Sequence, residues 1–115
     1  MREEARLLLA RHVERFNEGV QTNDFAPMIE QFADEAELSF EGVSVGPFLG
    51  RPAIAGAYRE QPPDDTIEIL GSRERPDGSV VADYAWSAEA PRRAGELWLT
   101  PAGDGTIARL VVTFA

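Results

Sequence analysis

The chain contains no cysteine, no lysine, one histidine and no long apolar run in its 115 residues. The missing cysteines exclude disulfides, thiolate nucleophiles and thiolate metal sites. The only compact apolar run near the start, Leu7 to Ala10, is followed at once by Arg11, His12 and Glu14. It is too short for a spanning helix or the core of a signal peptide, so a cytoplasmic, unprocessed protein with no membrane partner is expected. One histidine among scattered carboxylates makes a poor transition-metal site, and we expect neither metal nor cofactor. All basic residues are arginine, and acidic residues outnumber them to give a formal net charge of -9. Nucleic acid or an anionic membrane would be approached against repulsion, so nucleic acid is not an expected partner; solubility suffices to explain the acidity.

What is present is an ordinary globular composition, 43% hydrophobic and 27% charged. Residues 1–115 read as a single domain, long enough to bury roughly two thirds of its unfolded surface. From Glu3 to Gly19, Leu8, Leu9, Val13 and Phe16 recur at helical spacing, with charged residues mostly on other faces. Gly19 is expected to end this helix. Asn23 or Asp24 can then cap a second one carrying Phe25, Met28, Ile29 and Phe32, with Pro27 in its first turn. Ala36, Leu38 and Phe40 alternate with Glu37, Ser39 and Glu41, the period of a half-buried strand. The loop Gly42 to Gly50 follows, then a short helix from Pro52 through Ile54 and Tyr58, stopped by Pro62 and Pro63. The remainder reads as strands: Thr66 to Arg73, Ser79 to Ala88, Glu96 to Thr100 and Thr106 to Phe114. Asp77-Gly78 and Asp104-Gly105 mark turns between them.

Helices first and antiparallel strands after them imply an α+β domain whose sheet lays one face on the helices. The stretch Phe32 to Tyr58, with Arg11-His12-Val13, Asn17, Gly19 and Gly105-Thr106-Ile107, resembles the nuclear transport factor 2-like superfamily. That superfamily includes ketosteroid isomerases and SnoaL-type polyketide cyclases. The resemblance implies a cone-shaped, highly curved antiparallel sheet wrapped around a long N-terminal helix, with two shorter helices and an apolar pocket. It places His12 where ketosteroid isomerases carry their oxyanion-hole tyrosine, and a histidine there can donate a hydrogen bond or act as base. It places Phe40 at the catalytic aspartate and Leu97 at the second carboxylic acid, so ordinary ketosteroid isomerase chemistry is not expected. Glu41 and Glu96 lie one residue from those positions and would face outward unless the strand slips or bulges.

In the strand around Val80 to Ala88, Val81, Asp83, Ala85 and Ser87 share one face, and Val80, Ala82, Tyr84 and Trp86 share the other. The resemblance turns the first set toward the pocket, which makes His12 and Asp83 the candidate acid/base pair. The competing readings are a histidine satisfied in the core, an aspartate in an outer-face salt bridge with an arginine, and Glu41 as a solvated strand-end charge. The expected pocket wall is Phe16, Phe40, Tyr58, Leu97, Leu99, Leu110, Val112 and Phe114. Tyr84, Trp86 and Trp98 fall on the outer face, where an apolar patch would mark a homodimer interface. A slip of one residue inverts this and puts the tryptophans in the cavity. Arg92 and Arg93 read as a solvated turn. The resulting expectation is an enzyme of the ketosteroid isomerase-like or SnoaL-like type, an isomerase or cyclase moving a proton on a hydrophobic small molecule. The alternatives are a dimeric binding module without catalysis and a dimerisation domain whose pocket is filled by side chains.

Overall fold

The computed structural model describes residues 2–114. Helix α1, Arg2–Thr22, buries Ala5, Leu8, Leu9, His12 and Phe16. These positions follow the three-and-four spacing that forms one stripe. The helix does not stop at Gly19. A Cβ at that position would lie 2.7 Å from Cε1 of Phe25 and closer still to Cδ1, so this glycine admits an aromatic ring instead of terminating the helix. The chain turns at Asn23, whose φ of 60° suits asparagine, and the Ala26 N–H donates to Asp24 Oδ1 at 3.0 Å. Helix α2, Ala26–Ile29, is a single turn, and Phe32 begins a strand instead of ending a helix. Met28 and Phe32 are both fully buried four residues apart, so their spacing imitates a helix across the turn between them.

Strand β1 covers Phe32–Phe40 and the short β2, Phe48–Leu49, pairs with it inside the Gly42 to Gly50 loop. Helix α3, Arg51–Glu60, follows Gly50 and carries Pro52 in its first turn, with Ile54 and Tyr58 buried on one side. Then come β3, Ile67–Glu74, β4, Val80–Trp86, a 3₁₀ turn at Ser87–Glu89, β5, Gly95–Pro101, and β6, Ile107–Val112. The sheet is open, in the order β2-β1-β6-β5-β4-β3. Its ladders are antiparallel except that β6 lies parallel to β1, which makes the sheet mixed where an antiparallel one was expected. Alternation of polar and apolar residues fixes which face is buried and carries no information on strand direction.

One sheet face packs on α1. Cross-strand partners share a face, so the ladders Val80–Leu99 and Ala82–Leu97, continued by Leu99–Leu110 and Leu97–Val112, define the inner side. Tyr84 belongs to it, and Asp83, paired with Glu96, belongs to the outer side. The expected parity of β4 is therefore reversed. The pattern could not decide this, because Val81 and Ala85 on the outer face are as fully buried as Val80 and Ala82 on the inner one. Asn17 fastens α1 to β3: its Nδ2–H donates to the Ile67 carbonyl at 3.0 Å and its Oδ1 accepts the Ile67 N–H at 2.8 Å.

Candidate functional site

The inner sheet face, α1, α3 and the 42–50 loop line a cavity of about 820 Å³ that opens to solvent beside the exposed Val43, Val45, Glu60 and Gln61. Seven of the eight expected wall residues line it: Phe16, Phe40, Tyr58, Leu97, Leu110, Val112 and Phe114. Leu99 shares their face but is fully buried in the core, behind the wall. Tyr84 and Trp86 also line the cavity, so they are not outer-face residues. Trp86 rests against Phe16 at 6.5 Å between ring centroids and meets Tyr84 edge-on at 5.9 Å.

Helix α3 contributes Ala53, Gly56 and Ala57, spaced three and four apart. Their small side chains leave the space that larger residues would fill. That stripe was visible in the run Ala53 to Ala57 but reads equally well as plain helix packing. The 42–50 loop contributes Val43, Val45, Gly46 and Phe48, with the two valines about half exposed. Phe40 stacks on Phe114 at 6.4 Å and meets Phe48 edge-on at 6.2 Å, so three aromatic rings bound one side of the cavity.

His12 stands on α1 at the cavity wall, 2% exposed, with Phe32 edge-on at 6.0 Å and Phe16 at 6.4 Å. Its Nδ1 is enclosed and has no hydrogen-bond partner. Burial pushes its pKa down to about 4, so the ring is neutral near pH 7 and offers one N–H donor and one lone pair. The Tyr58 phenol is buried beside the cavity and its pKa is raised by desolvation. The Tyr84 hydroxyl donates to the Thr113 carbonyl at 3.3 Å. Among the described lining residues the only carboxylate is Glu60, at an exposed position.

Asp83 does not join His12. It lies on the opposite sheet face, where Arg93 Nε–H donates to its Oδ1 at 2.9 Å and Arg73 stands 3.8 Å from its Oδ2. Glu96 completes the cluster, accepting from Arg73 at 3.0 Å, lying 3.2 Å from Arg93, and accepting the Trp98 indole N–H at 2.9 Å. The Trp98 hydrogen bond and then Arg73 hold its carboxyl below the usual range. Arg93, expected as a solvated turn residue, is thus committed to this network. Of the three aromatics assigned to the outer face only Trp98 is there, and the Arg75 guanidinium covers it at 4.7 Å from the ring centroid. Glu41 is exposed and does not line the cavity. Among the described residues no group of three or more His, Asp or Glu could hold a metal, and no helix is long and apolar enough to cross a membrane.

No family model matches the chain, and no curated protein matches it. Solved structures do match over its whole length. It is similar to the epoxide hydrolase/cyclase-like enzyme SalBIII of pyran ring formation in polyether salinomycin, at TM-score 0.78 and 21% identity, covering 100% of this chain and 95% of that one. A computationally designed 17-OHP binder aligns at TM-score 0.74 and 16% identity, covering 97% and 91%. An NTF-2 like protein of unknown function from Burkholderia xenovorans LB400 aligns at 0.66 and 14%, covering 96% and 85%. Identities this low carry the architecture and not an activity.

Proposed function

The chain has the nuclear transport factor 2-like fold, and we propose that its cavity binds a hydrophobic small molecule whose single key oxygen is held by His12. One observation carries this reading: an apolar cavity of about 820 Å³ has a single imidazole, that of His12, in its wall. A ligand carbonyl, hydroxyl or epoxide oxygen accepts a hydrogen bond from the neutral imidazole at the cavity wall, while the aromatic and aliphatic walls supply most of the binding free energy.

The chemistry that follows is proton transfer or oxygen polarisation in an isomerisation or cyclisation. With its pKa near 4, His12 is a weak base. A neutral imidazole donating a hydrogen bond to an oxygen that gains negative charge fits better. Asp83 has no part in this scheme. A second reading, a binding protein without turnover, is favoured by a separate observation: apart from Glu60, no carboxylate shares the cavity with His12 among the described residues.

The test pairs hydrophobic ketones and epoxides with their deoxygenated hydrocarbons, followed by thermal shift and by mass spectrometry of the recovered ligand. His12→Leu is expected to weaken the oxygenated ligand about tenfold, the value of one desolvated hydrogen bond, and to leave the hydrocarbon unchanged. Equal effects on both members would remove His12 from recognition. A ligand recovered unaltered from wild-type protein after prolonged incubation, despite saturable binding, selects the second reading.

A further inference from the structure

We infer that this cavity selects uncharged ligands and discriminates against a carboxylate of the same carbon skeleton. The inference rests on the cavity being the ligand site and specifies the class of molecule it takes. A bound carboxylate is held best by a cation, and no cation lines the cavity among its described residues; the donors there, on His12, Tyr58, Gln61 and Trp86, are all uncharged. Among its described lining residues none is an arginine, and the chain has no lysine.

Five of the eleven arginines are engaged elsewhere. Arg51 donates to the Phe32 carbonyl at 2.7 Å and pairs with Asp34 at 3.2 Å. Arg6 pairs with Glu74 at 2.7 Å near the other end of β3. Arg73, Arg93 and Arg75 belong to the outer sheet face, with Asp83, Glu96 and Trp98. Arg73, Arg75 and Arg93 are separated from a ligand inside by the sheet, and Arg6 and Arg51 would have to break their pairs.

His12 does not fill the gap. Protonating it would place two buried charges against Phe16, Phe32 and the aliphatic wall, and both desolvation costs would oppose the attraction between them. The one charged residue among the described lining residues, Glu60, has the wrong sign for an acid. It stands where α3 ends, ahead of Gln61 and Pro63, which line the same rim. A neutral ester, ketone or alcohol meets none of these penalties, since its oxygen needs only the hydrogen bond that His12 can make.

The experiment uses the full chain at pH 8 and two fluorescent series, one on naphthalene and one on pyrene. Each contains a butyrate methyl ester, the corresponding butanol and the free butyric acid. The ester and alcohol are expected to bind saturably and to displace each other, with the acid weaker by about a hundredfold or more, the scale of an unpaired buried charge. Glu60→Gln is expected to recover only a minor part of that deficit. An acid within about threefold of its ester would overturn the selection while leaving the ligand cavity in place. Full recovery in Glu60→Gln would overturn its assignment to the cavity walls. Failure of every member of both series to bind would refute the ligand-site reading itself, and the selection with it.

Discussion

Replacing Gly95 with alanine puts the closure of the cavity to a quantitative test. Gly95 lies opposite Tyr84 on the inner face, and the chain beyond β6 crosses directly over it. Its φ is not in the left-handed region, so the requirement is for space and not for backbone freedom. A Cβ would lie 2.7 Å from the Thr113 carbonyl carbon, closer than real Cβ contacts come, with the Thr113 oxygen nearer still and Phe114 Cα at a tight 3.0 Å. These are backbone atoms and cannot rotate away. The crossing is held by Thr113 N–H to the Glu96 carbonyl at 2.9 Å, Glu96 N–H to Thr113 Oγ1 at 2.9 Å, and Tyr84 hydroxyl to the Thr113 carbonyl at 3.3 Å. Displacing the tail forfeits two of these at about 1 kcal/mol each and adds overpacking strain of about 1 kcal/mol or more. The expected loss is about 3 kcal/mol in urea denaturation, or roughly 10 °C in Tm. Phe114 would leave Phe40 as well, so ligand affinity should fall in the folded variant. Gly71→Ala is the control, because nothing lies within 4 Å of its Cβ position. A Gly95→Ala loss below about 0.5 kcal/mol would refute this reasoning, since it would mean the tail yields freely.

The buried imidazole gives a pH dependence of defined sign. The His12 pKa falls from 6.5 to about 4 on folding, so between those values the unfolded chain binds the extra proton and stability declines as pH is lowered through the window. The full decline is about 3 kcal/mol, complete near pH 4, and is checked by urea titrations of wild type against His12→Leu. The difference between the two should vanish if His12 titrates normally. Asp83→Asn breaks two partly exposed ion pairs, to Arg93 and Arg73, and is expected to cost about 1 kcal/mol while ligand affinity stays unchanged. A tenfold drop in affinity in that variant would return the carboxylate to the site.

The path of the chain was legible because its signals are local. The stripe of Leu8, Leu9 and Phe16, Pro52 at the start of α3, and the glycine turns each report their own surroundings. Four wall residues of the cavity, Phe40, Leu97, Leu110 and Val112, followed from alternation in β1, β5 and β6, where one face is plainly more apolar than the other. Strand β4 is apolar on both faces, and there the alternation gave no direction. Reading it one residue out of step moved Asp83 into the cavity and Tyr84 and Trp86 out of it. The parallel pairing of β1 with β6 and the close crossing over Gly95 are long-range facts that no local period encodes. Gly19 shows the same limit on a smaller scale: a glycine near a helix end suggested a stop, and the Phe25 ring was the reason for it.

Because the chain has a single histidine, its imidazole signal can be followed without ambiguity while a hydrophobic ketone is added to the protein. The His12 resonance is expected to shift saturably, while the Trp98 indole signal on the outer sheet face stays in place. A shift at Trp98 with His12 unmoved would put the ligand on the wrong side of the sheet and contradict the account.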